Sequence, residues 1–268
     1  MSEQIVQDSA AIAPLPDLAA RRRQRLVALV EARGSARLEE LSSALGVSTA
    51  TVRRDLDAVS AAGRLRRVHG GVVATEQPAS EPQFDVKAGS AAAEKERIAA
   101  AAVRLLKPDD TVYLDSGSTV LAVARLLHGW DRLTVVTNSL PVAIELAGRG
   151  PRVIVIGGEL RARSRAIVGP LTRHVLERLH VDRALMGTYA LSLDDGLTTT
   201  DPTEAYTKEL VLGRASQVIL LADSSKVGTR SFAASGRLAD VDVLVTDDGI
   251  DRAAARRLAR LGVRVVAA

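Results

Sequence analysis

The spacing of apolar residues divides the chain into two regimes. Near the amino end they recur every three or four positions: Leu26, Leu29 and Val30, then Leu41 and Leu45, then Val52, Leu56 and Val59. That is the period of amphipathic helices, and it predicts one helix over residues 20–32, a second over 38–45 and a third that starts at 48. Gly34-Ser35-Ala36 breaks the first from the second. Gly46 supplies the permissive backbone of a sharp turn, Ser48 is a good N-cap for the third helix, and Gly63 ends it as a C-cap. Leu65-Arg66-Arg67-Val68, His69-Gly70-Gly71 and Val72-Val73 then read as a β-hairpin, with the glycine pair supplying positive φ at its turn.

Between residues 75 and 90 the periodicity dissolves into TEQPASEPQFDVKAG, with two prolines, which predicts an interdomain linker. Helix resumes near Ala91, with Ile98, Val103, Leu105 and Leu106 as its apolar residues. Beyond it lie short continuous apolar runs at residues 111–114, 133–137, 152–156, 184–186, 218–222, 241–246 and 263–266, separated by helical stretches. Runs that do not alternate belong to strands covered on both faces. The body is therefore expected to be an α/β domain with a mostly parallel sheet.

At 268 residues the chain can hold a small and a larger domain, each with its own core. Hydrophobic residues make up 47% and charged residues 25%, as in soluble globular proteins. Aromatics are only 2%, so the cores must be aliphatic, and stacking platforms for single-stranded nucleic acid are disfavoured. There is no cysteine, which excludes disulfides, thiolate zinc sites and cysteine nucleophiles and fits a cytoplasmic location. Residues 1–19 lack the basic start and apolar centre of a signal peptide and read as a disordered tail. No uncharged apolar run approaches the roughly 18 to 20 residues of a membrane helix, so no membrane partner is expected.

Net charge is +4, but it is unevenly spread. Residues 21–73 hold 11 Arg against Glu31, Glu39, Glu40, Asp55 and Asp57, or 11 − 5 = +6, which leaves 4 − 6 = −2 for the rest. A basic head on a mildly acidic body is the asymmetry of a nucleic-acid-binding domain joined to something else. The candidate contacts are Ser48, Thr49, Thr51, Arg53 and Arg54 at the front and outer face of the third helix, a size of helix that fits the major groove of duplex DNA. Arg66 and Arg67 on the hairpin could meet phosphates, and His69 at its turn a phosphate or the minor groove. Arg21 and Arg23 belong to a cluster with Arg22 and Arg25 at the front of the first helix. A solvated charged face is the alternative there, but helix N-termini disfavour cations, so a nearby polyanion explains the cluster better.

In open α/β sheets ligands gather at the carboxyl ends of strands. After the first strand comes Asp115-Ser116-Gly117-Ser118-Thr119, opening directly into a helix. Small hydroxyl residues around a glycine at a helix start can cradle a phosphate; an N-cap with nothing bound is the bland alternative. Asn138 and Ser139, Gly157 and Gly158, and Asp223-Ser224-Ser225-Lys226 end three further strands. Lys226 is one of five lysines in an arginine-rich chain, a compact charge suited to a phosphate. Together these loops imply an anionic, polyhydroxylated ligand. The four histidines have no metal-ligand spacing, so neither a metal nor a cofactor is expected. Asp194-Asp195 and Asp247-Asp248, each before a glycine, read as turn residues.

RRQRLVALV, VSTATVRRDLDAV and GRLRRVHGGVV, within residues 22–73, closely resemble the winged helix-turn-helix of the DeoR-type bacterial transcription regulators. LDSGSTVLAVA, LTVVTNSLPVAIELA, VIVIGGEL, IVGP, DGLTTTDPTEAYTKE, LLADSSKVG and VDVLVTDDG resemble the effector domain of the same family, from about residue 94 to 249. The resemblance implies a winged helix-turn-helix at residues 20–74. It also implies an α/β effector domain at 91–268, similar in fold to ribose-phosphate isomerases and binding phosphorylated sugars or related metabolites. It places a phosphate site at Ser116, Gly117, Ser118 and Thr119, with Asp115, Asn138, Gly157, Gly158, Glu204, Lys208 and Lys226 completing the pocket. One departure is the run Gly187-Thr188-Tyr189-Ala190-Leu191, where many relatives carry a second glycine at the place of Ala190, so Tyr189 is expected to reshape the pocket. The expected function is a sequence-specific regulator, a repressor of carbohydrate genes relieved by a phosphorylated sugar, acting on a duplex operator as a homodimer or tetramer and not as an enzyme. The rival reading is a sugar-phosphate isomerase-like enzyme with a DNA-binding appendage.

Overall fold

The computed structural model describes residues 18–33, 35–61, 65–68, 71–74 and 81–268. The chain divides into two units, Met1–Ser80 and Glu81–Ala268. Of the expected tail at residues 1–19, residues 1–17 lie outside the described residues, as do Gly63, His69, Gly70 and linker residues 75–80, while Leu18 and Ala19 already belong to the first helix.

The first unit runs α1 (Leu18–Arg33), β1 (Ser35–Arg37), α2 (Leu38–Leu45), α3 (Thr49–Ala61), β2 (Leu65–Val68) and β3 (Gly71–Ala74). The apolar period does what it predicts: Leu26 and Val30 of α1, Leu41 of α2, and Val52, Leu56 and Val59 of α3 meet in one buried cluster. Full burial of each such side chain is worth about 1.5–3 kcal/mol, which holds three short helices together. Gly46 closes α2 at φ 65°, in the left-handed region, and the Thr51 N–H donates to Ser48 Oγ at 3.2 Å as the cap of α3. Two expectations need correction. Gly34-Ser35-Ala36 does separate the first two helices, but Ser35–Arg37 also form a strand, β1, that the sequence reading lacked, so the hairpin is a three-stranded antiparallel sheet ordered β1-β3-β2. Gly71 is not a turn residue with positive φ. It sits within β3 opposite Arg37 and Val68, where a Cβ would stand 2.6 Å from the Ala36 carbonyl oxygen, so its role is close approach of β1.

The second unit opens with α4 (Phe84–Gly89) and α5 (Ala92–Val103), followed by β4 (Thr111–Leu114), α6 (Ser118–Arg125), β5 (Thr134–Thr137), α7 (Leu140–Leu146) and β6 (Arg152–Val155). Next come β7 (Glu159–Arg161), β8 (Ala166–Val168), α8 (Arg173–Leu176), β9 (Val181–Gly187), β10 (Ala190–Ser192), β11 (Gly196–Thr199) and α9 (Pro202–Leu212). It ends with β12 (Ala215–Leu221), β13 (Ala233–Gly236), β14 (Val243–Thr246), α10 (Arg252–Arg260) and β15 (Arg264–Ala267). All seven predicted apolar runs become strands of one parallel sheet ordered β15-β14-β12-β9-β4-β5-β6. Apolar clusters cover both faces. Ile98, Val120, Val123 and Val142 from α5, α6 and α7 lie on one, and Leu176, Val211 and Leu258 from α8, α9 and α10 on the other. That double cover is why the runs do not alternate.

Strand order reverses between β4 and β9: the sheet grows from β4 through β5 to β6 on one side and from β9 through β12 to β15 on the other. The carboxyl ends of these two strands are therefore the switch point at which such sheets bind ligands. Added to the sheet are the hairpin β7–β8 and the antiparallel sheet β10-β11-β13, which the sequence pattern did not announce. Residues 81–90 are also corrected. They are not linker but part of the second unit, because Phe84 is an apolar anchor, 4% exposed in the main core, and Glu81 is buried. No helix among the described residues is long and apolar enough to cross a membrane.

Candidate effector cleft and nucleic-acid interface

In the first unit, α3 presents Ser48, Thr49, Arg53 and Arg54 as exposed residues, with Thr51 half-buried and its hydroxyl 3.0 Å from Ser48 Oγ. The buried face of the same helix carries Asp55. Arg22 donates to it through Nε at 2.6 Å and Nη2 at 3.2 Å, pinning α1 to α3. Arg23 stands 3.5 Å from the same carboxylate, so part of its charge is already matched inside the unit. Arg22, absent from the predicted contacts, is thus a structural residue that an isolated buried Asp on a helix face could have signalled. The backbone of Arg21 lies in α1 and that of Arg66 and Arg67 in β2, but their side chains, like all of His69, lie outside the described residues.

In the second unit a cleft open to solvent sits at the switch point. Its rim is the loop after β4 (Ser116, Gly117, Ser118 and Thr119), the loop after β9 (Gly187, Thr188 and Tyr189) and the loop after β12 (Ala222, Asp223 and Lys226). Gly117 takes φ 123° at the start of α6, and no described side chain caps that helix. First-turn N–H groups and the positive end of a helix dipole are an arrangement that can hold an anion.

Four lysines ring this loop. Lys87 pairs with Glu81 at 2.7 Å, and Lys226 lies 5.7 Å from the centre of the Tyr189 ring, which positions its ammonium. Lys95, 6% exposed, donates to the carbonyls of Lys87 and Ser90, and burial pulls its ammonium below the usual lysine range despite the nearby Asp223 carboxylate. Lys208 forms a buried ion pair with Asp115 and donates to the Gly187 carbonyl at 3.0 Å. Burial would depress that ammonium, but Asp115 and Glu204 outweigh it and hold it up.

A second set of charges lies beside the lysines. Glu81 accepts from Arg161 at 2.5 Å and from Thr200 at 2.7 Å, and Arg161 reaches on to Asp201 at 3.2 Å and Glu204 at 3.4 Å. Burial would push the Glu81 carboxyl up, but Arg161 and Lys87 hold it below the ordinary range. Glu204 goes the other way: burial raises it, and Lys208 offsets only part of the rise. Ser116 Oγ donates to Glu204 Oε1 at 3.4 Å and joins this set to the loop after β4.

Of the residues expected in the pocket, the cleft lining brings together Ser116, Gly117, Ser118, Thr119, Glu204, Lys208 and Lys226. Asp115 stands behind it as the counterion of Lys208 and acceptor of the Gly187 N–H at 3.0 Å. Asn138, Ser139, Gly157 and Gly158 are not in the lining. Asn138 instead donates to the Ile167 carbonyl, Ser139 caps α7, and Gly158 passes so near Ile167 and Val168 that a Cβ would not fit. Sequence reasoning missed Glu81, Lys87, Ser90, Lys95 and Ser164. Lysine scarcity was the usable signal for two of them, since Lys87 and Lys95 are the cleft's other cations. Asp194 and Asp195 lie in the β10–β11 turn, Asp247 ties the Ser224 and Gly249 N–H groups together, and the exposed Asp248 pairs with Arg97 at 3.4 Å.

Residues 22–78 match the DeoR-like helix-turn-helix domain, and residues 90–248 match the DeoR C terminal sensor domain. The chain is 38% identical to the HTH-type transcriptional regulator GlpR of Haloferax volcanii over 93% of its own length and 98% of that protein. It is 34% identical to the lactose phosphotransferase system repressor of Streptococcus mutans, over 84% of this chain and 91% of that one. Among solved structures, ribose 5-phosphate isomerase A of Methanocaldococcus jannaschii superposes at a TM-score of 0.37 with 19% identity, over 50% of this chain and 53% of that one. With both units matched, and a named regulator aligned over nearly its whole length, the chain belongs to the DeoR family of helix-turn-helix transcriptional regulators.

Proposed function

We propose that this chain is a transcriptional repressor of carbohydrate genes whose hold on a duplex operator is released when a phosphorylated sugar or related metabolite occupies the cleft. The observation that carries the effector half is the uncapped start of α6 at Gly117, ringed by Lys87, Lys95 and Lys226 at the sheet's switch point. A phosphate there meets backbone donors and compact cations together. Ser48, Thr49, Thr51, Arg53, Arg54, Arg66, Arg67 and His69 are the proposed operator contacts, with Arg21 and Arg23 reaching the phosphate backbone. Repression, rather than activation, is supported by the printed name of the Streptococcus relative.

Coupling requires the effector to favour the state that binds DNA poorly, and about 100-fold in operator affinity corresponds to roughly 2.7 kcal/mol. Lys87 and Ser90 line the cleft within the first ten residues of the second unit, so a ligand that touches them acts on the segment by which the chain arrives from the first. A two-fold pair of recognition helices would read a palindromic or repeated site, which makes a homodimer or tetramer the working form.

A gel shift on DNA upstream of its own gene, with and without a panel of phosphorylated sugars, tests the reading. Sequence-specific retardation at moderate salt that a sugar phosphate reverses supports it; the absence of either defeats it. The isomerase-like alternative has one feature in its favour, the buried Glu204 beside Lys208, a carboxyl held above its ordinary range. Turnover of pentose or hexose phosphates at about 1 per second or faster would establish that alternative.

A further inference from the structure

Several of the donors around the cleft are already engaged by the protein's own oxygens. An ammonium has three N–H donors and a serine hydroxyl has one. Buried Lys95 donates to the Lys87 carbonyl and to the Ser90 carbonyl at 2.5 Å, with Ser90 Oγ at 3.5 Å. Ser118, the first residue of α6, donates its hydroxyl to the same Lys87 carbonyl at 3.3 Å, and Glu81 holds the Lys87 ammonium at 2.7 Å. The backbone oxygens at the end of α4 thus take donors that an anion on the loop at residues 116–119 would use.

Little else holds this stretch in place. Phe84 pins the front of α4 into the core, and Ile98 and Ala99 pin α5, but between Phe84 and Lys95 only Ala88 packs against that core, and it is half-buried. Val86, Gly89, Ser90 and Ala91 are exposed. The turn is also strained. Ala91 stands at φ 48° and ψ 43°, one of two non-glycine residues with positive φ among the described residues. The left-handed region is unfavourable for a residue with a Cβ, and such strain persists only where surrounding contacts impose it, as they do at switches.

We infer that the turn joining α4 to α5, residues 87–91, is an autoinhibitory clasp: its carbonyls occupy the donors of the anion site, and an anion that takes Ser118 and Lys95 releases it. The inference rests on the anion-binding half of the function proposed above and adds how binding becomes movement. Release withdraws Lys87 from Glu81, the first residue of the second unit, so occupancy of the cleft is felt where the chain enters that unit. The clasp also sets the apparent affinity, because only the released state has its donors available.

Hydrogen exchange and titration calorimetry on the full chain, with inorganic phosphate as the probe, test this. A ligand that merely sits in a cleft slows exchange around it. Here phosphate should slow the amides of residues 118–121 and speed those of residues 87–91 by about fivefold or more. Ala91 is exposed and outside the cleft lining, so its variants alter the turn and not the anion's donors. Ala91→Gly relieves the positive φ, keeps the clasp closed and should weaken phosphate binding by about threefold. Ala91→Val adds a β-branched side chain in the same region. It should strengthen phosphate binding by about threefold and speed exchange at residues 87–91 without phosphate. Should Ala91→Val misfold, Ala91→Gly and exchange on the unaltered chain decide the matter. Phosphate that binds but slows residues 87–91 or leaves them unchanged overturns the clasp and leaves the anion site standing, as does an affinity that Ala91→Gly does not lower. Phosphate that binds neither the unaltered chain nor Ala91→Val overturns the anion site and the clasp with it.

Discussion

Glu81 and Arg161, eighty positions apart, meet at 2.5 Å in a pair whose carboxylate is 3% and guanidinium 15% exposed. Lys87 and Thr200 complete the shell around the carboxylate, so the first residue of the second unit is locked to its hairpin and cleft wall. Removing one partner of a buried pair leaves the other charge uncompensated. Because Arg161 keeps Asp201 and Glu204, Glu81→Ala should cost about 2–3 kcal/mol of the second unit's stability, read as a lower denaturation midpoint at unchanged slope.

The same carboxylate gives a signed pH dependence. Its pKa in the folded chain lies below the ordinary value of 4.5, so its contribution is complete above 4.5 and is lost as pH falls through the folded value. Glu204 is shifted upward, so its contribution is present below 4.5 and is lost as pH rises through its raised value. Denaturation of the unaltered chain and Glu81→Gln from about pH 3 to pH 7 should show their stability difference shrinking toward acid. The matching series with Glu204→Gln should show the unaltered chain losing its relative advantage as pH rises above 4.5.

Gly117 holds φ 123° with nothing within 4 Å of where a Cβ would stand, so its substitution is a matter of strain and not of collision. Gly117→Ala forces an L-residue into a region that costs about 1–3 kcal/mol, and the loop should relax away from that geometry. Inorganic phosphate affinity should fall by about tenfold or more, while the denaturation midpoint moves only slightly. Calorimetric titration with inorganic phosphate measures it directly.

How far the sequence could be read depended on whether a feature was local. Helix faces such as Val52, Leu56 and Val59, the Ser48 cap, and the seven apolar runs are local patterns, and each maps onto an observed element. The loop at residues 116–119 was legible because a glycine between hydroxyls before a helix is a local geometry too. What stayed hidden depends on distant partners. β1 is three residues long and exists because β3 pairs with it, and residues 81–90 look like linker until Phe84 finds the core. Asn138 and Gly158 carry polar or permissive chemistry at strand ends, but β8 folds over them and turns that chemistry to structural use. Ser164 gave no signal at all, because only the docked hairpin makes it a buried residue.

On the operator side, Arg53→Ala and Arg54→Ala remove the guanidinium groups of two exposed residues of α3. A contact to a base edge should cost about 1–3 kcal/mol on the preferred site and relax discrimination at one position. A contact to phosphate should weaken all sequences alike and reduce the salt dependence by about one charge. Fluorescence anisotropy on specific and scrambled duplexes at several salt concentrations separates the two. Ser48→Ala should cost about 1 kcal/mol of the first unit's stability by removing the oxygen that caps Thr51.

Gly71 offers a test of the three-stranded sheet. A methyl group there would stand 2.6 Å from the Ala36 carbonyl oxygen and 3.4 Å from the Arg37 Cα, all of it backbone that cannot rotate aside. Gly71→Ala must therefore push β1 away from β3 or tilt β3, and Ala36, 6% exposed, leaves the core with it. The lost pairing and burial should lower the first unit's stability by about 2–3 kcal/mol. The second unit has a separate core, so its transition should stay in place while the first unit's transition moves to lower denaturant. Gly89→Ala is the control: nothing lies within 4 Å of its Cβ position, and neither transition should shift appreciably. If Gly71→Ala melts like the unaltered chain, β1 does not pair with β3 in solution, and the first unit is a helical bundle with a two-stranded hairpin.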